Sequence, residues 1–292
     1  MIRLRQVKVS IYEEDKLLSK IESILKTKVE SYSLIKKSLD ARKKPELYYI
    51  YEVDVSVLNE KKVLKRFSKN EDIFLAPIEK YEIPSFGTIK LQNRPIIIGS
   101  GPAGLFATYL LSEAGYRPIL FERGECVEKR KEKIEMFWQT GKLDEQTNVQ
   151  FGEGGAGTFS DGKLNTMVKD KACRGKKVFE TFVACGAPAD ILYESHPHIG
   201  TDLLQNVIKN MREKIKQMGG EIHYSSCLTD IHVKDNKIEE IVINNKQTYP
   251  CDCLVLALGH SARDTFEMLY THQIPMTQKA FAIGVRMEHP QT

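Results

Sequence analysis

The sequence predicts an α/β chain in two units: a small α+β unit over residues 1–85 and a larger unit, 86–292, built on a parallel central sheet. Three observations point there. The first 75 residues mix strand-like alternation with short amphipathic helices. Residues 76–95 then lose periodicity and gather proline and glycine, as linkers do. From Arg94 onward the order becomes strand, glycine turn, helix, strand, which is how parallel sheets are assembled.

In the first unit, Arg3–Ile11 alternates like a half-buried strand. Asp15–Leu25 places Leu17, Leu18, Ile21, Ile24 and Leu25 on one helical face. Ser31–Arg42 and Leu47–Val57 flank the turn signal "KKPE", and the second is rich in β-branched and aromatic residues. A short helix is expected over Asn59–Arg66 and a strand over Ile73–Leu75.

In the second unit, "PIIIG" (Pro95–Gly99) is a continuous apolar run, as suits a strand covered on both faces. Pro102–Gly115 reads as a helix, with proline in its first turn and glycine at its end. Arg117–Glu122 is a second buried strand. Residues 201–219 form the clearest helix, with Leu204, Val207, Ile208, Met211, Ile215 and Met218 in phase, Thr201 as cap and Gly219 as stop. "EIHYSS" (Glu221–Ser226) follows as a sheet strand, then a β-hairpin insertion over Asp230–Asn244 turning at Asp235–Asn236. Cys253–Gly259 reads as another buried parallel strand, and Ala262–Tyr270 as a helix capped by Ser261.

Composition narrows the function classes. No apolar run approaches the ~20 residues of a membrane helix, and the N-terminus lacks a signal-peptide core, so a cytoplasmic protein is expected. Of six cysteines only Cys251 and Cys253 are closely spaced, as C-x-C, which suits packed, reduced thiols better than a metal site. His196 and His198 lack nearby acids or thiols and read as a proline-stiffened turn, so no metal is expected. The net charge of +4 is uneven: residues 1–70 hold 17 Lys and Arg against 10 Asp and Glu.

The chemistry begins at Gly99-Ser100-Gly101-Pro102-Ala103-Gly104, a G-x-G-x-x-G between a strand and a helix. Gly99 permits the tight turn, Gly101 lets the backbone approach a diphosphate, and Gly104 lets helix and sheet pack closely. The helix amino end then faces the phosphates. Glu122 closes the next strand 23 residues after Gly99, near the spacing at which an acid meets ribose hydroxyls. An acid there disfavours a 2′-phosphate. FAD and NAD both use this fingerprint, and spacing does not separate them. A second stretch, Asn148–Thr166, packs five glycines into residues 152–162, as a loop does when its backbone passes close to a large flat ligand. Thr158 and Ser160 are its candidate donors.

Four stretches, "IIIGSGPAGLFATYLL", "FGEGGAGTFSDGKLNT", "PHIGTD" and "LALGHSARDTFEML", together resemble a bacterial family of FAD-dependent, NAD(FAD)-utilising dehydrogenases. The resemblance covers most of the chain, including the basic N-terminal unit. It implies a Rossmann-type FAD-binding domain of the glutathione-reductase type, with FAD extended along the first βαβ unit. Carried over, Gly99, Ser100, Gly101, Pro102, Ala103 and Gly104 would flank the diphosphate. Glu122, with Arg123 beside it, would take the adenosine ribose. Gly154, Gly155, Ala156, Gly157 and Thr158 would lie near phosphates and flavin, Leu228 at the adenine, and Gly259 at the turn closing over the cofactor. The family's second, C-terminal cofactor motif is missing, and a strand of a substrate domain is expected to begin near "FAIGVRM". The sequence thus reads as the front part of a longer protein.

The resemblance implies an FAD-dependent oxidoreductase with NAD(P)H as electron donor and an unknown acceptor. No Cys-x-x-x-x-Cys pair is present, which argues against disulfide reduction. His260, Arg263 and Asp264 lie just past a strand's C-terminal end, where α/β ligand sites gather, with a helix-start capping role as the plainer reading of His260; Asp161 and Lys163 are candidates for the flavin edge or, equally, for a solvated turn salt bridge. Two alternatives remain open. The cluster Lys36, Lys37, Arg42, Lys43 and Lys44 could grip RNA, or the chain could be a catalytically silent FAD-binding fragment.

Overall fold

A computed structural model describes residues 1–159, 162–164, 168, 170–285 and 287–290. Ser160, Asp161 and Thr166, all in the second glycine-rich stretch, lie outside the described residues.

The N-terminal unit is an antiparallel sheet in the order β2-β3-β1-β4, formed by β1 (Ile2–Ser10), β2 (Ser31–Lys43), β3 (Glu46–Ser56) and β4 (Ile73–Leu75). Helices α1 (Leu17–Leu25) and α2 (Glu60–Arg66) contribute to its core, with Leu17, Ile21, Leu25 and Val63 buried. In β1 the register shifts between Leu4 and Val7, and Gln6 takes φ 57°. The bulge resets the two-residue alternation, so that Ile2, Leu4, Val7 and Val9 all reach the core.

Residues 76–95 carry no regular element and are tied at both ends. The Arg3 guanidinium donates to Asp54 at 2.7 Å and to Glu79 at 2.7 Å. Asp252 accepts the amides of Gln92 and Asn93 at 2.6 and 2.7 Å.

The second unit is layered around a parallel sheet in the order β11-β5-β6-β7. Its strands are β5 (Ile96–Ile98), β6 (Ile119–Phe121), β7 (Glu221–His223) and β11 (Leu254–Leu256). One side holds α3 (Pro102–Glu113), α5 (Arg174–Ala184) and α6 (Thr201–Gln217), joined through Leu105, Tyr109, Phe182, Val207 and Met211. On the other lie a three-stranded antiparallel sheet, β8 (Leu228–Lys234), β9 (Lys237–Ile243) and β10 (Gln247–Pro250), and α7 (Arg263–Thr271). The hairpin turns at Asp235 and Asn236, whose φ values of 49° and 58° suit the tight turn that matches strand twist.

Several expectations need amendment. Cys253–Gly259 was expected as a buried strand, but β11 is an edge strand with Leu256 39% exposed. Among the described residues of 272–290 there is no strand, and Phe281, Ile283 and Val285 are exposed. Thr201 begins α6 rather than capping it; the N-cap is Gly200. Ser261 stands one residue before the N-cap of α7, Ala262. Helix α4 (Val127–Thr140), α5 and β10 had no expectation attached.

The two units touch where Lys37 of β2 pairs with the chain at Tyr193–Ser195. The Lys37 amide donates to the Tyr193 carbonyl at 2.7 Å, and the Ser195 amide donates to the Lys37 carbonyl at 3.0 Å.

Candidate nucleotide-binding cleft

The bend from Gly99 to Gly104 joins β5 to the amino end of α3. The parallel pairing of β11 with β5 brings Ala257 against it. Gly99 has φ 97°, and a Cβ there would fall 2.4 Å from the Ala257 carbonyl oxygen, so only glycine fits. A Cβ on Gly104 would lie 1.8 Å from the Gly99 carbonyl oxygen, which makes Gly104 the close-packing glycine. Gly101 differs. Its φ of −68° is ordinary, and the nearest atom to an added Cβ is the Gly155 Cα, 3.9 Å away. Nothing in the protein forbids a side chain there. Pro102 occupies the first helical position, where a missing N–H costs nothing. Helix geometry leaves the Ala103 and Gly104 amides without intrahelical acceptors.

The second glycine-rich stretch folds back onto this bend. The Gly154 amide donates to the Ser100 carbonyl at 2.9 Å. A Cβ on Gly155 would stand 2.9 Å from Pro102 Cδ and 3.1 Å from Gly101 Cα. Ala156–Phe159 then form a 3₁₀ turn. Thr158 is buried, and its hydroxyl meets no hydrogen-bond partner among the described residues.

Between bend, stretch and β11 runs a cleft of about 390 Å³, bordered by Gly101, Ala103, Gly155, Ala156, Gly259 and His260, with Leu258, Phe266 and Leu269 on its apolar side. A smaller recess of about 30 Å³ shares Gly99, Glu122, Phe151 and Leu258 with it and ends at Cys227 and Leu228. Together they form one path from Gly259 across Gly99 to Leu228. Such a path suits an elongated ligand with a charged middle.

Glu122 borders both spaces, yet its carboxylate is already engaged. One oxygen accepts the Ser100 amide and hydroxyl at 2.7 and 2.8 Å; the other accepts the Gly124 and Gly152 amides, both at 2.9 Å. Four donors fill a carboxylate's lone-pair sites, so a ribose hydroxyl reaching Glu122 must share or displace one of them. Arg123 lies over the Phe151 ring at 4.5 Å and donates to Asp264 at 2.8 Å. Asp264 is thereby held below the usual carboxylate range, although burial opposes this.

His260 and Ser261 line the cleft, with Ser261 Oγ 3.5 Å from His260 Nε2, while Arg263 starts α7. His198 bridges to Lys163, and the Leu164 amide donates to the Pro197 carbonyl at 3.0 Å, so the two-histidine turn supports the end of the glycine-rich stretch. Among the described residues no three His, Cys, Asp or Glu side chains gather where a metal could be held. No helix of the described residues is long and apolar enough to cross a membrane. In the basic cluster, Lys37 pairs with Glu14 at 2.8 Å and Arg42 with Asp40 at 2.8 Å.

Sequence reading missed the supports beneath the cleft. Arg130 of α4 is wholly buried, and burial pulls its guanidinium down to about 10, against the pull of Glu122 and Glu153. Glu153, also wholly buried, accepts from Tyr224, from the Val127 amide at 2.8 Å and from Arg212 at 2.8 Å. Burial raises the Glu153 carboxyl. Arg212 also holds Glu128, whose carboxyl falls to about 2. Arg130 sits in "VEKRKEKIEMFWQT", where its charged neighbours mask it as a solvated position.

Comparison with known proteins agrees with this geometry in one segment. Residues 97–127 match the NAD(P)-binding Rossmann-like domain family, and residues 1–56 match a domain family of unknown function, DUF8436. An uncharacterized protein of Clostridium beijerinckii is 47% identical over 99% of this chain, which spans 54% of that relative's length, about half. Among solved structures, THI4 of Thermovibrio ammonificans gives a TM-score of 0.42 at 17% identity, over 63% of this chain and 64% of that one. Thioredoxin reductase of Lactococcus lactis gives 0.31 at 15% identity, over 56% and 35%. Bend, acid and family match agree on one thing: residues 97–127 have the strand, glycine bend, helix and strand order of a Rossmann-like segment.

Proposed function

We propose that this chain carries the FAD-binding part of a flavin-dependent oxidoreductase, with NAD(P)H as the electron donor. The observation that carries the reading is the room left at Gly101. In a bend where Gly99 and Gly104 are required by the protein's own packing, Gly101 is not, and its open side faces the cleft. A ligand whose backbone-bound group lies against the main chain accounts for that glycine.

The residues present fit FAD. The Ala103 and Gly104 amides and the α3 amino end would take the diphosphate. The recess toward Cys227 and Leu228, about 30 Å³ as it stands, marks the adenosine side beside Glu122 and has to widen to take that end. The stretch toward Ala156, Gly259 and His260 would take the flavin end, with Leu258, Phe266 and Leu269 as apolar cover. Glu122 adds negative charge where NADP would place a 2′-phosphate, which favours FAD or NAD in this cleft. When bound, FAD supplies reversible hydride acceptance; the protein positions it and excludes water.

Absorption spectroscopy tests this. The purified chain, or the chain after incubation with FAD and desalting, should show a flavin spectrum that bleaches anaerobically with NADH or NADPH. A chain that takes up FAD but is bleached by neither is a silent binding unit. A chain that takes up none, while binding NAD, moves the nicotinamide cofactor into this cleft and removes the flavin.

A further inference from the structure

Arg130 makes an unusual set of contacts. Its side chain is wholly buried, and among the described residues it donates to main-chain carbonyls of the second glycine-rich stretch alone. These are Asn148 at 2.9 Å, Val149 at 3.1 Å, Gly152 at 3.3 Å, Glu153 at 2.7 Å and Gly155 at 2.8 Å. The guanidinium also lies 4.7 Å over the Phe159 ring. A Cβ on Gly152 would fall 2.5 Å from Arg130 Cδ, so the loop has been shaped closely around this side chain.

Peptide planarity converts these contacts into a statement about the amides. In a trans peptide, the C=O of one residue and the N–H of the next point in opposite directions. The Gly152 carbonyl is held to Arg130, and the Glu153 N–H points away, to the Glu125 carbonyl at 3.1 Å. The Glu153 carbonyl is held to Arg130, and the Gly154 N–H points away, to the Ser100 carbonyl at 2.9 Å. The Gly155 carbonyl is held in the same way at 2.8 Å, so the Ala156 N–H also points away. Ala156 borders the main cleft at the start of the 3₁₀ turn. No acceptor among the described residues meets its amide.

We propose that Arg130 is a positioning residue: by holding the Gly155 carbonyl beneath the loop it aims the Ala156 amide into the cleft as a donor to a phosphate oxygen of the bound dinucleotide. The buried cation adds favourable charge beneath the same spot. The proposal rests on the dinucleotide reading above and deepens it, since it names a donor outside the G-x-G-x-x-G bend and the side chain that orients it.

The test compares ADP, which carries the diphosphate, with adenosine, which does not, alongside FAD, by isothermal titration. Ala156→Pro removes the one N–H while proline remains acceptable at a helical first position. It should weaken FAD and ADP about 10- to 100-fold, the range of a hydrogen bond to a charged group, and leave adenosine unchanged. Arg130→Lys offers three donors in place of the fork and should weaken the same two ligands while raising amide hydrogen exchange across residues 149–156 in the ligand-free chain. Should Arg130→Lys fail to fold, Ala156→Pro alone decides. Parent protein that binds ADP, with Ala156→Pro or folded Arg130→Lys binding it equally well, overturns the positioning role and leaves the dinucleotide reading standing. Equal losses for ADP and adenosine overturn the positioning role as well, since a general collapse of the cleft produces them. Parent protein that binds neither FAD nor ADP overturns both.

Discussion

Replacing each of two neighbouring glycines by alanine should have opposite consequences, because the two face different neighbours. In Gly104→Ala the new methyl would stand 1.8 Å from the Gly99 carbonyl oxygen and 3.0 Å from its carbon, both backbone. Comfortable non-bonded separation is roughly 3.5 Å, so either α3 or the bend must move by well over about 1 Å. Helix α3 is held by its packing on α5 and α6 through Leu105 and Tyr109, and the bend by Glu122. The cost should sit at the upper end of the overpacking range, about 3 kcal/mol, less about 1 kcal/mol gained from alanine's helix propensity. In Gly101→Ala the methyl meets nothing closer than 3.9 Å, with φ at −68°. Alanine is a poorer N-cap than glycine by about 1 kcal/mol, and the stiffer unfolded chain returns roughly 0.4–1 kcal/mol. The ligand-free protein should therefore change by about 0.5 kcal/mol or less. Its methyl, however, projects into the cleft, and FAD affinity should fall at least about tenfold, as expected when close backbone approach to a diphosphate is blocked. Urea unfolding of the ligand-free variants and FAD titration by fluorescence quenching read the two effects separately. A Gly101→Ala protein that unfolds as early as Gly104→Ala, or that binds FAD like the parent, refutes the assignment of roles along the bend.

Further outcomes follow from the buried polar groups. Glu122→Gln replaces one of the two oxygens by an amide nitrogen, turning two of the four acceptor positions into donors that face either Ser100 or the Gly124 and Gly152 amides, and should cost about 2–3 kcal/mol by urea unfolding; a neutral result would show that the carboxylate is not the clasp described. Glu128, at about 2 beside Arg212, has a depressed folded value. Its contribution is present above the ordinary value of 4.5 and is lost as pH falls toward 2. Glu128→Gln should therefore destabilise by about 1 kcal/mol or less at pH 7, given its partial exposure, and the gap from the parent should close as pH falls from 4.5 toward 2. The Cys251 thiol, pushed up to about 11 by burial, should stay unreacted with a disulfide reagent at pH 8 until the chain unfolds.

The local parts of this structure were legible in the chain. Four apolar residues, a glycine bend and a helix of 12 residues over Pro102–Glu113 follow one another without gaps, so each element announces itself through its own periodicity. The hairpin at Asp235–Asn236 and the helix over Thr201–Gln217 are equally self-contained. The cleft is less so: Leu228 came from a family resemblance, Gln150 and Phe151 only from their place in the second glycine-rich stretch, and Cys227, which also borders it, had no signal of its own.

What the sequence determined by itself was the order of elements and the glycines that a strand-to-helix bend demands, because those depend on residues within one turn or one strand of each other. Tertiary structure alone decided where Glu122 spends its charge and that Arg130, set among lysines and glutamates, is buried under a loop 18 to 25 residues away along the chain. The reason is solvation: a charged side chain reads as exposed until long-range packing removes its water, and only then do the main-chain groups around it have to turn toward it or away.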